Sequence, residues 1–291
     1  MISIIITAFN ETNTIGKAVE SILKQNIRED YEILVVAPDI ETGKIVEDYK
    51  NTKYIQDLGI GKPSALNKAF KETRGDILIL TDGDVFLDNK AIIEILKPFE
   101  NKKVGIVSGR PISLNPRENK WGYYSHLLTD LGAHETRLRR SRAGKIIVCS
   151  GYLYAFRGGI IQEIPPEAFS EDALISHLIF QKGFETSYAP FAKVYVKYPD
   201  NFKDWIKQKI RSTGGYNQLK YFIDDKRRMR SFLKESLGIF KIFNYPKTTR
   251  EFFWTIELIF IRLYLWVLVY RDINLRKKPF NDIWVRVAST K

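Results

Sequence analysis

The chain has few residues of the kinds that build disulfides, zinc sites or hydrolytic triads. Cys149 is the single cysteine among 291 residues, so no disulfide can form within the chain, and we expect a reducing compartment. The three histidines, His126, His134 and His177, have no metal-ligand spacing and belong to no recognisable Ser-His-Asp or Cys-His pattern. We therefore expect neither a disulfide-rich secreted domain nor a zinc centre.

Two signals are also missing from the first dozen residues. No charged stretch and small-residue cleavage site stand at the start, so we expect no secretory signal. The segment Ala8-Phe9-Asn10-Glu11, which follows the first apolar run, contains no glycine-rich phosphate loop. Phosphate binding through a P-loop is thus disfavoured.

Acidic residues are outnumbered by basic ones, 34 to 46, which gives a formal net charge of +12. Such an excess favours an anionic partner: a nucleotide-bearing substrate, nucleic acid or acidic lipid. A simple solubility surplus is the alternative, but the cations cluster, at Arg137, Arg139, Arg140 and Arg142, then Lys226, Arg227, Arg228 and Arg230, then Arg276, Lys277 and Lys278.

Apolar runs alternate with amphipathic ones through the first half of the chain. We predict strands at 3–8, 32–36, 53–56 and 76–80, separated by helices at about 14–25, 41–49 and 63–72. This alternation predicts an α/β fold with a mostly parallel sheet flanked by helices. The more mixed middle predicts further strands at 104–109, 146–149, 153–157, 185–188 and 194–197, and helices at about 121–138 and 170–182.

The character of the sequence changes near residue 200. Beyond it, helical patterns, aromatic residues and basic clusters dominate, so we predict a catalytic domain at 1–200 and a helical, amphipathic region at 201–291.

Carboxylates stand where the predicted parallel strands end. Asp82 and Asp84 follow the buried run 77–80, and ligands of open α/β sheets bind at this edge. Two carboxylates around Gly83 suit Mg²⁺ or Mn²⁺ with phosphate oxygens completing the shell, while a polar turn is the alternative. Asp39 follows the second strand and could accept hydrogen bonds from a ribose or base, or simply cap the next helix.

Two later pairs add to this pattern. Glu171 and Asp172 follow a rigid Pro-Pro turn, and one of them could be a general base, although acidic residues are also common at helix starts. Gln208 and Arg211 lie three residues apart on one helix face and could hold a diphosphate, or could form a solvated face.

In this order the motifs resemble those of family 2 glycosyltransferases of the GT-A fold. The resemblance covers residues 1 to about 215. It rests on the opening Ile4 to Glu11, Gly61 to Ala69, Arg74-Gly75-Asp76, the DxD motif Thr81-Asp82-Gly83-Asp84, Ser150-Gly151 with Ala155-Phe156-Arg157, the ED pair Glu171-Asp172, and Gln208 with Arg211 of a QxxRW motif.

The resemblance implies a role for each matching position. Thr7 and Glu11 would lie at the nucleoside, Asp82 at the ribose or diphosphate, and Asp84 at a metal ion that Asp82 helps to bind. Asp172 would be the base, with Glu171 as the substitute. Lys62, Gln208 and Arg211 would lie near the donor diphosphate.

Two positions depart from the family's pattern. Asp39 follows Ala37-Pro38 where Asp-Asp-Gly-Ser is usual, so it fits the nucleoside role only with a shift. Ser212 stands in place of the QxxRW tryptophan, which weakens any prediction of processive synthesis.

The resemblance and the carboxylates together predict a metal-dependent inverting glycosyltransferase. Its donor would be a nucleotide sugar, with UDP-sugars favoured and GDP-mannose next, and its acceptor a saccharide or a lipid-linked one. A sugar-nucleotide nucleotidyltransferase and a non-enzymatic basic module for RNA or lipid are the alternatives. The nucleotidyltransferase is disfavoured because the chain has no glycine-rich loop after the first strand. The basic module is disfavoured because the clustered carboxylates would repel its anionic ligand.

The apolar run 252–270 contains only Glu257 and Arg262 as charged residues, and it is near the length of a bilayer span. The two charges argue against a spanning helix, because charged side chains within a bilayer are costly. Both flanks are basic, so the flanking charges indicate no orientation across a membrane. We expect a helix in the membrane interface, with 232–243 as a second one; packing on protein or a homodimer, and a spanning helix, are the alternatives. The predicted location is cytoplasmic and peripheral at an anionic membrane surface, with no nucleic acid bound.

Overall fold

The computed structural model describes residues 1–223, 242–276, 287, 289 and 290, so the predicted basic clusters at 226–230 and 277–278, and most of 232–243, lie outside the described residues. Two units are distinguished by their internal contacts. Unit 1 comprises Met1–Pro111 with Arg137–Val196, and unit 2 comprises Ile112–Thr136 with Lys197–Thr290. The domain boundary at residue 200 stays a prediction.

A mixed sheet of eight strands forms the centre of the fold, which confirms the predicted α/β class. The order across the sheet is β3-β2-β1-β4-β7-β6-β8-β5. The strands are β1 (Ile2–Thr7), β2 (Tyr31–Ala37), β3 (Thr52–Gln56), β4 (Ile77–Asp82), β5 (Phe86–Leu87), β6 (Val104–Ser113), β7 (Leu153–Arg157) and β8 (Glu185–Val196).

The first half of the sheet is parallel, as the alternating sequence predicts. β1 pairs in parallel with β2 and β4, and β2 with β3, whereas β7 pairs antiparallel with β4 and β6. Because β1 and β4 are buried along their length, their side chains are mostly Ile and Leu and do not alternate with polar residues. In register, Thr7 lies opposite Asp82, so the strands end together at one edge.

Helices lie between most of these strands along the chain, and two more described helices follow the last strand. Their bounds are α1 (Ile15–Leu23), α2 (Ile40–Val46), α3 (Lys62–Glu72), α4 (Ala91–Leu96), α5 (Lys120–Leu127), α6 (Thr136–Arg142), α7 (Glu171–Gln181), α8 (Phe202–Gln218) and α9 (Thr249–Val269). A 3₁₀ turn follows α4 at Lys97–Glu100, and π-helical turns follow α5 at Leu128–Glu135 and α9 at Tyr270–Leu275.

The predicted helix at 121–138 and the predicted strands around Pro190 differ from the structure. The single helix expected at 121–138 is divided by the π-helical turn Leu128–Glu135. The two short strands expected around Pro190 are one strand, β8.

The buried run 146–149, predicted as a strand, has no strand partner in the described sheet. Side chains satisfy its backbone instead: Arg137 and Arg140 donate to the Val148 and Ile146 carbonyls, and the Cys149 N–H donates to Ser176 Oγ. An apolar run therefore identified burial correctly here, but not the hydrogen-bond partners.

Unit 2 has its own apolar core. α5, α8 and α9 enclose Tyr123, Tyr124, Trp205, Leu258 and Leu265, all 2% exposed or less. Glu257, a charge within the possible membrane span, and Glu251, in the first turn of α9, are both paired within the unit. Glu251 accepts from Arg117 at 2.9 Å, and Glu257 from Lys120 at 2.8 Å.

Candidate active site

The carboxyl ends of β1 and β4 bring Thr7 and Asp82 together. The Thr7 hydroxyl donates to Asp82 Oδ1 at 2.9 Å, and this contact follows from the parallel register of the two strands. This hydrogen bond from the neighbouring strand orients the Asp82 carboxylate at the sheet edge.

Lys62 lies between two of the predicted carboxylates. It is the first residue of α3, and its Nζ is 2.6 Å from Asp82 Oδ1 and 3.0 Å from Glu171 Oε1. The preceding Gly61 has φ of 131°, which favours glycine and turns the chain sharply into the helix. Lys62 therefore joins the DxD motif to the ED pair, two motifs that sequence reasoning treated separately.

The charge state of Lys62 follows from these contacts. Burial alone would lower its pKa, but the charges of Asp82 and then Glu171 outweigh burial and raise the pKa above its ordinary value. Lys62 thus stays protonated and compensates part of the negative charge in the site.

Asp172 stands beside Glu171 at the start of α7, where its Oδ1 accepts from the Ala173 N–H at 2.8 Å. Burial, and then the charge of Glu171, raise the pKa of Asp172 to about 6, although Lys62 acts in the opposite direction. A carboxylate with a pKa just below neutrality is ionised at pH 7 yet basic enough to take up a proton, which is what general-base catalysis requires.

Glu11 approaches the DxD motif from the loop after β1. A Cβ atom added to Gly83 would lie 2.5 Å from Glu11 Oε2 and 2.9 Å from the Ala8 side chain. A side chain at position 83 would therefore clash with Glu11 and Ala8, and the glycine there allows the Glu11 carboxylate to pack directly against the DxD motif.

Asp39 is the N-cap of α2, as the structural alternative predicted. Its Oδ1 accepts from the Thr42 N–H at 3.0 Å, and its Oδ2 accepts from the Asn10 N–H at 3.2 Å. Burial would raise the pKa of Asp39, but the hydrogen bonds from Thr42 and Asn10 lower it overall. The carboxylate therefore stays ionised and ties the loops after β1 and β2 together.

Gln208 and Arg211 belong to unit 2, where both lie on α8. Gln208 is buried and Arg211 half-buried, and their separation of three residues puts them on one face of the helix. Ser212, at the position of the missing tryptophan, donates its hydroxyl to the Lys209 carbonyl at 3.2 Å.

Among the described residues, no group of three or more His, Cys, Asp and Glu side chains could hold a metal ion. Asp82 and Asp84 supply two carboxylates, which are ligands that suit Mg²⁺ or Mn²⁺. Asp82 keeps about a quarter of its side chain exposed beside Lys62. The residues therefore fit a hard cation only if a ligand such as a diphosphate completes its coordination.

Two residues near the ED pair were missed by sequence reasoning. Tyr154, on β7, is completely buried, and burial followed by the charges of Glu171 and Asp172 raises its pKa well above the ordinary value. Arg137 was counted only in a basic cluster, but it is 4% exposed, and its charge lowers the pKa of Asp172. Only the position of Tyr154 next to Ser150-Gly151 in sequence could have indicated a place near the site.

Comparison with known proteins identifies the chain's relatives. The model described as Glycosyl transferase family 2 matches residues 3–164, more than half of the chain. The chain belongs to glycosyl transferase family 2. This assignment confirms the resemblance drawn from the motifs, and it covers β1 to β7 with the DxD segment.

Two curated relatives of this family 2 chain have N-acetylglucosamine in their names. An "N-acetylglucosaminyltransferase" of Azorhizobium caulinodans is 27% identical over 72% of this chain and 58% of its own length. A "Poly-beta-1,6-N-acetyl-D-glucosamine synthase" of Staphylococcus epidermidis is 25% identical over 75% of this chain and 55% of its own. The chain therefore spans less than two thirds of the length of these relatives.

Solved structures support the GT-A fold. The mannosyltransferase PcManGT from Pyrobaculum calidifontis, in complex with GDP-Man and Mn²⁺, has a TM-score of 0.61 at 17% identity and covers 97% of this chain and 82% of its own. S. aureus TarS 1-349 in complex with UDP-GlcNAc has a TM-score of 0.52 at 17% identity, over 82% of this chain and 69% of its own. At these identities the likeness establishes the fold alone.

Proposed function

We propose that this protein transfers a sugar from a nucleotide-sugar donor to a saccharide or lipid-linked acceptor, with inversion at the anomeric carbon and with Mn²⁺ or Mg²⁺. The observation that carries the proposal is the group of Asp82, Lys62, Glu171 and Asp172 at the carboxyl ends of β1 and β4 in a family 2 chain. This group combines ligands for a cation with a carboxylate whose pKa suits a base.

Asp172 is the proposed base. It accepts the proton of an acceptor hydroxyl while the oxygen attacks the anomeric carbon, and the bond to the nucleoside diphosphate breaks with its electrons on the diphosphate. Because Glu171 is paired with Lys62 at 3.0 Å, its charge is compensated, and Asp172 is the better acceptor of a proton. A single displacement of this kind inverts configuration.

Donor binding is assigned to the loops that follow the parallel strands. Thr7 orients Asp82, Glu11 packs against Gly83, and Asp39 holds the loop after β1. Asp84 and Asp82 would hold the divalent cation, which when bound neutralises negative charge on the leaving diphosphate. The roles of Gln208 and Arg211 at the diphosphate come from the family resemblance.

The first donor to test is UDP-N-acetylglucosamine, with GDP-mannose as the second. Both relatives quoted above are named for N-acetylglucosamine, while one structural neighbour holds UDP-GlcNAc and another GDP-Man. The proposed setting is cytoplasmic and peripheral at a membrane, where lipid-linked acceptors are available; a homodimer remains the alternative for the C-terminal region.

The test measures release of nucleoside diphosphate and transfer of labelled sugar across a panel of nucleotide sugars, with Mn²⁺, with Mg²⁺ and with chelator. We expect transfer from one donor class that requires the cation and is lost in Asp84→Asn and Asp172→Asn. Pyrophosphate release from a nucleoside triphosphate and a sugar phosphate would instead identify a nucleotidyltransferase. No turnover by the full-length protein with any donor would favour a non-enzymatic module.

A further inference from the structure

Helix α9 of unit 2 has two faces of opposite character. Its inward face is buried by packing on α5 and α8, through Leu258, Leu265, Leu268 and Val269. Thr255 is also fully buried and shares a hydrogen bond with the Tyr123 hydroxyl at 2.5 Å. The helix is therefore anchored along one side to its own unit.

The outward face of α9 is apolar and exposed over the whole length of the helix. At about 100° per residue, its members fall in an arc of about 120°, and they extend about 26 Å along the axis. Between Phe253 and Val267 no charged residue falls in this arc. The outward residues are Phe253, Phe260, Leu263, Tyr264, Val267 and, in the following turn, Tyr270.

A continuous strip of this kind exceeds the isolated apolar residues that are normal on a soluble surface. The helix meets the length and hydropathy of a candidate membrane span, yet 28% of its most apolar window is buried inside the protein. The inward side of α9 is thus covered by its own unit, whereas the outward side is exposed and available to a partner.

The charges around the strip indicate an anionic partner. The acidic residues of the helix are drawn inward or sideways into ion pairs, Glu251 with Arg117 and Glu257 with Lys120. Exposed cations stand near both ends of the strip, Lys247 and Arg250 before it and Arg276 after it. The apolar face is therefore bordered at both ends by positive charge.

We propose that the outward face of α9 docks on an anionic lipid membrane, with the helix axis parallel to the surface and Phe260 and Val267 in the acyl–headgroup boundary. Aromatic residues and flanking cations are the composition that suits this interface. The assignment specifies the membrane contact within the proposed function, but it does not depend on the reaction. It is tested without any turnover measurement, so its failure and that of the proposed activity are distinguishable.

Two other occupants fit the structure less well. A helix that crosses the bilayer would have to bring the Arg117–Glu251 and Lys120–Glu257 pairs into hydrocarbon or break them, and either is costly. A second copy of the chain, docked through the same face, would place like charges against each other at both ends, whether the helices run parallel or antiparallel.

The first experiment uses an environment-sensitive dye on an introduced cysteine. Cys149 is buried, and burial raises the pKa of its thiol to about 12, so labelling is confined to the new residue. Phe260→Cys reports on the strip, and Phe191→Cys is the matched control, because both phenylalanines are about two-thirds exposed, 65% and 66%. Phe191 lies on β8 in unit 1.

We expect a blue shift of the Phe260→Cys label with phosphatidylcholine vesicles that contain phosphatidylserine, and none with phosphatidylcholine alone. The Phe191→Cys label should not shift in either case. Equal shifts at both positions, or no shift at Phe260→Cys, would overturn the assignment.

The second experiment measures co-sedimentation of the full chain with the same vesicles. Phe260→Ser with Val267→Ser should weaken binding about tenfold or more, because two exposed apolar side chains no longer enter the interface. Phe191→Ser should bind as the wild type does, and high salt should release part of the wild-type protein. Binding that resists salt entirely, or a stable dimer that the double variant converts to monomer without vesicles present, would refute the membrane assignment.

Discussion

Replacing Asp172 by asparagine should make the protein more stable and less active at the same time. Burial and the neighbouring Glu171 raise the pKa of Asp172 to about 6, from an ordinary value of 3.8. The folded protein therefore binds this proton more tightly than the unfolded chain does. Ionising Asp172 in the folded state costs at most about 3 kcal/mol, because the side chain keeps some contact with solvent.

The sign of this effect fixes its pH dependence. Well below pH 3.8 the carboxyl is protonated in both states, and Asp172 costs the fold nothing. As pH rises through 3.8 towards 6, the unfolded chain loses the proton first, so stability falls, and above pH 6 the full cost is present. Asp172→Asn removes the charge while keeping the shape, so its gain over the wild type should be negligible well below pH 3.8, grow between pH 3.8 and 6, and reach its maximum by pH 8.

The assay pairs thermal unfolding with turnover on the same samples. At pH 8 we expect a higher Tm for Asp172→Asn, by about 2–4 °C for each kcal/mol gained, and a turnover lower by about 10²–10⁴ because a positioned base is lost. Wild-type turnover should fall below pH 6 as Asp172 takes up its proton. Asp48→Asn, an exposed carboxylate in the same unit, should change neither quantity. Near-normal turnover in Asp172→Asn, or an unchanged Tm at pH 8, would refute the reasoning, and Glu171 would be the next candidate base.

Three further outcomes are expected. Asp84→Ala should abolish the Mn²⁺-dependent part of UDP or GDP binding in calorimetry; equal heats with Mn²⁺ and with chelator in the wild type would contradict the metal assignment. Gly83→Ala should cost about 1–3 kcal/mol in stability and weaken donor binding, because its Cβ would meet Glu11 at 2.5 Å; unchanged denaturation and donor affinity would show that the loop can give way. Glu251→Gln should lower stability by about 1–3 kcal/mol, because Arg117 keeps its charge without a charged partner, whereas Arg117→Met added to it should recover part of the loss.

The part of the fold that sequence predicted well is the part that burial alone specifies. β1, β2 and β4 are short runs of mostly apolar residues. In an α/β chain such a run is typical of a strand that is buried on both faces of the sheet. The position of Asp82 at the end of β4 follows directly, since the apolar run stops there. Helix capping by Asp39 was the alternative to a nucleoside contact, and the structure bears out the cap, because Asp39 directly precedes α2.

The contacts between distant segments could not be read in the same way. Lys62 meets Glu171 because the start of α3 and the start of α7 face the same sheet edge, and no local pattern encodes which helix starts are neighbours. Arg137 was counted in a basic cluster that favours an anionic partner, but its guanidinium is buried and donates to the Val148 carbonyl. Helical periodicity identified α9 and its apolar residues, yet only the packed structure distinguishes its covered face from its outward one.

The way the segment 146–149 is held affects how this protein could evolve by substitution. Its backbone is held by side chains on α6, α7 and β8: Arg137, Arg140, Ser176 and Thr186. A strand within a sheet is held by backbone hydrogen bonds, which a side-chain substitution does not remove. This segment is held by side-chain hydrogen bonds, so single substitutions can remove them one at a time. It leads directly into Ser150-Gly151, where Gly151 lies beside Asp172. Point mutations can therefore change the conformation of the loop next to the proposed base while the backbone hydrogen bonds of the central sheet are kept.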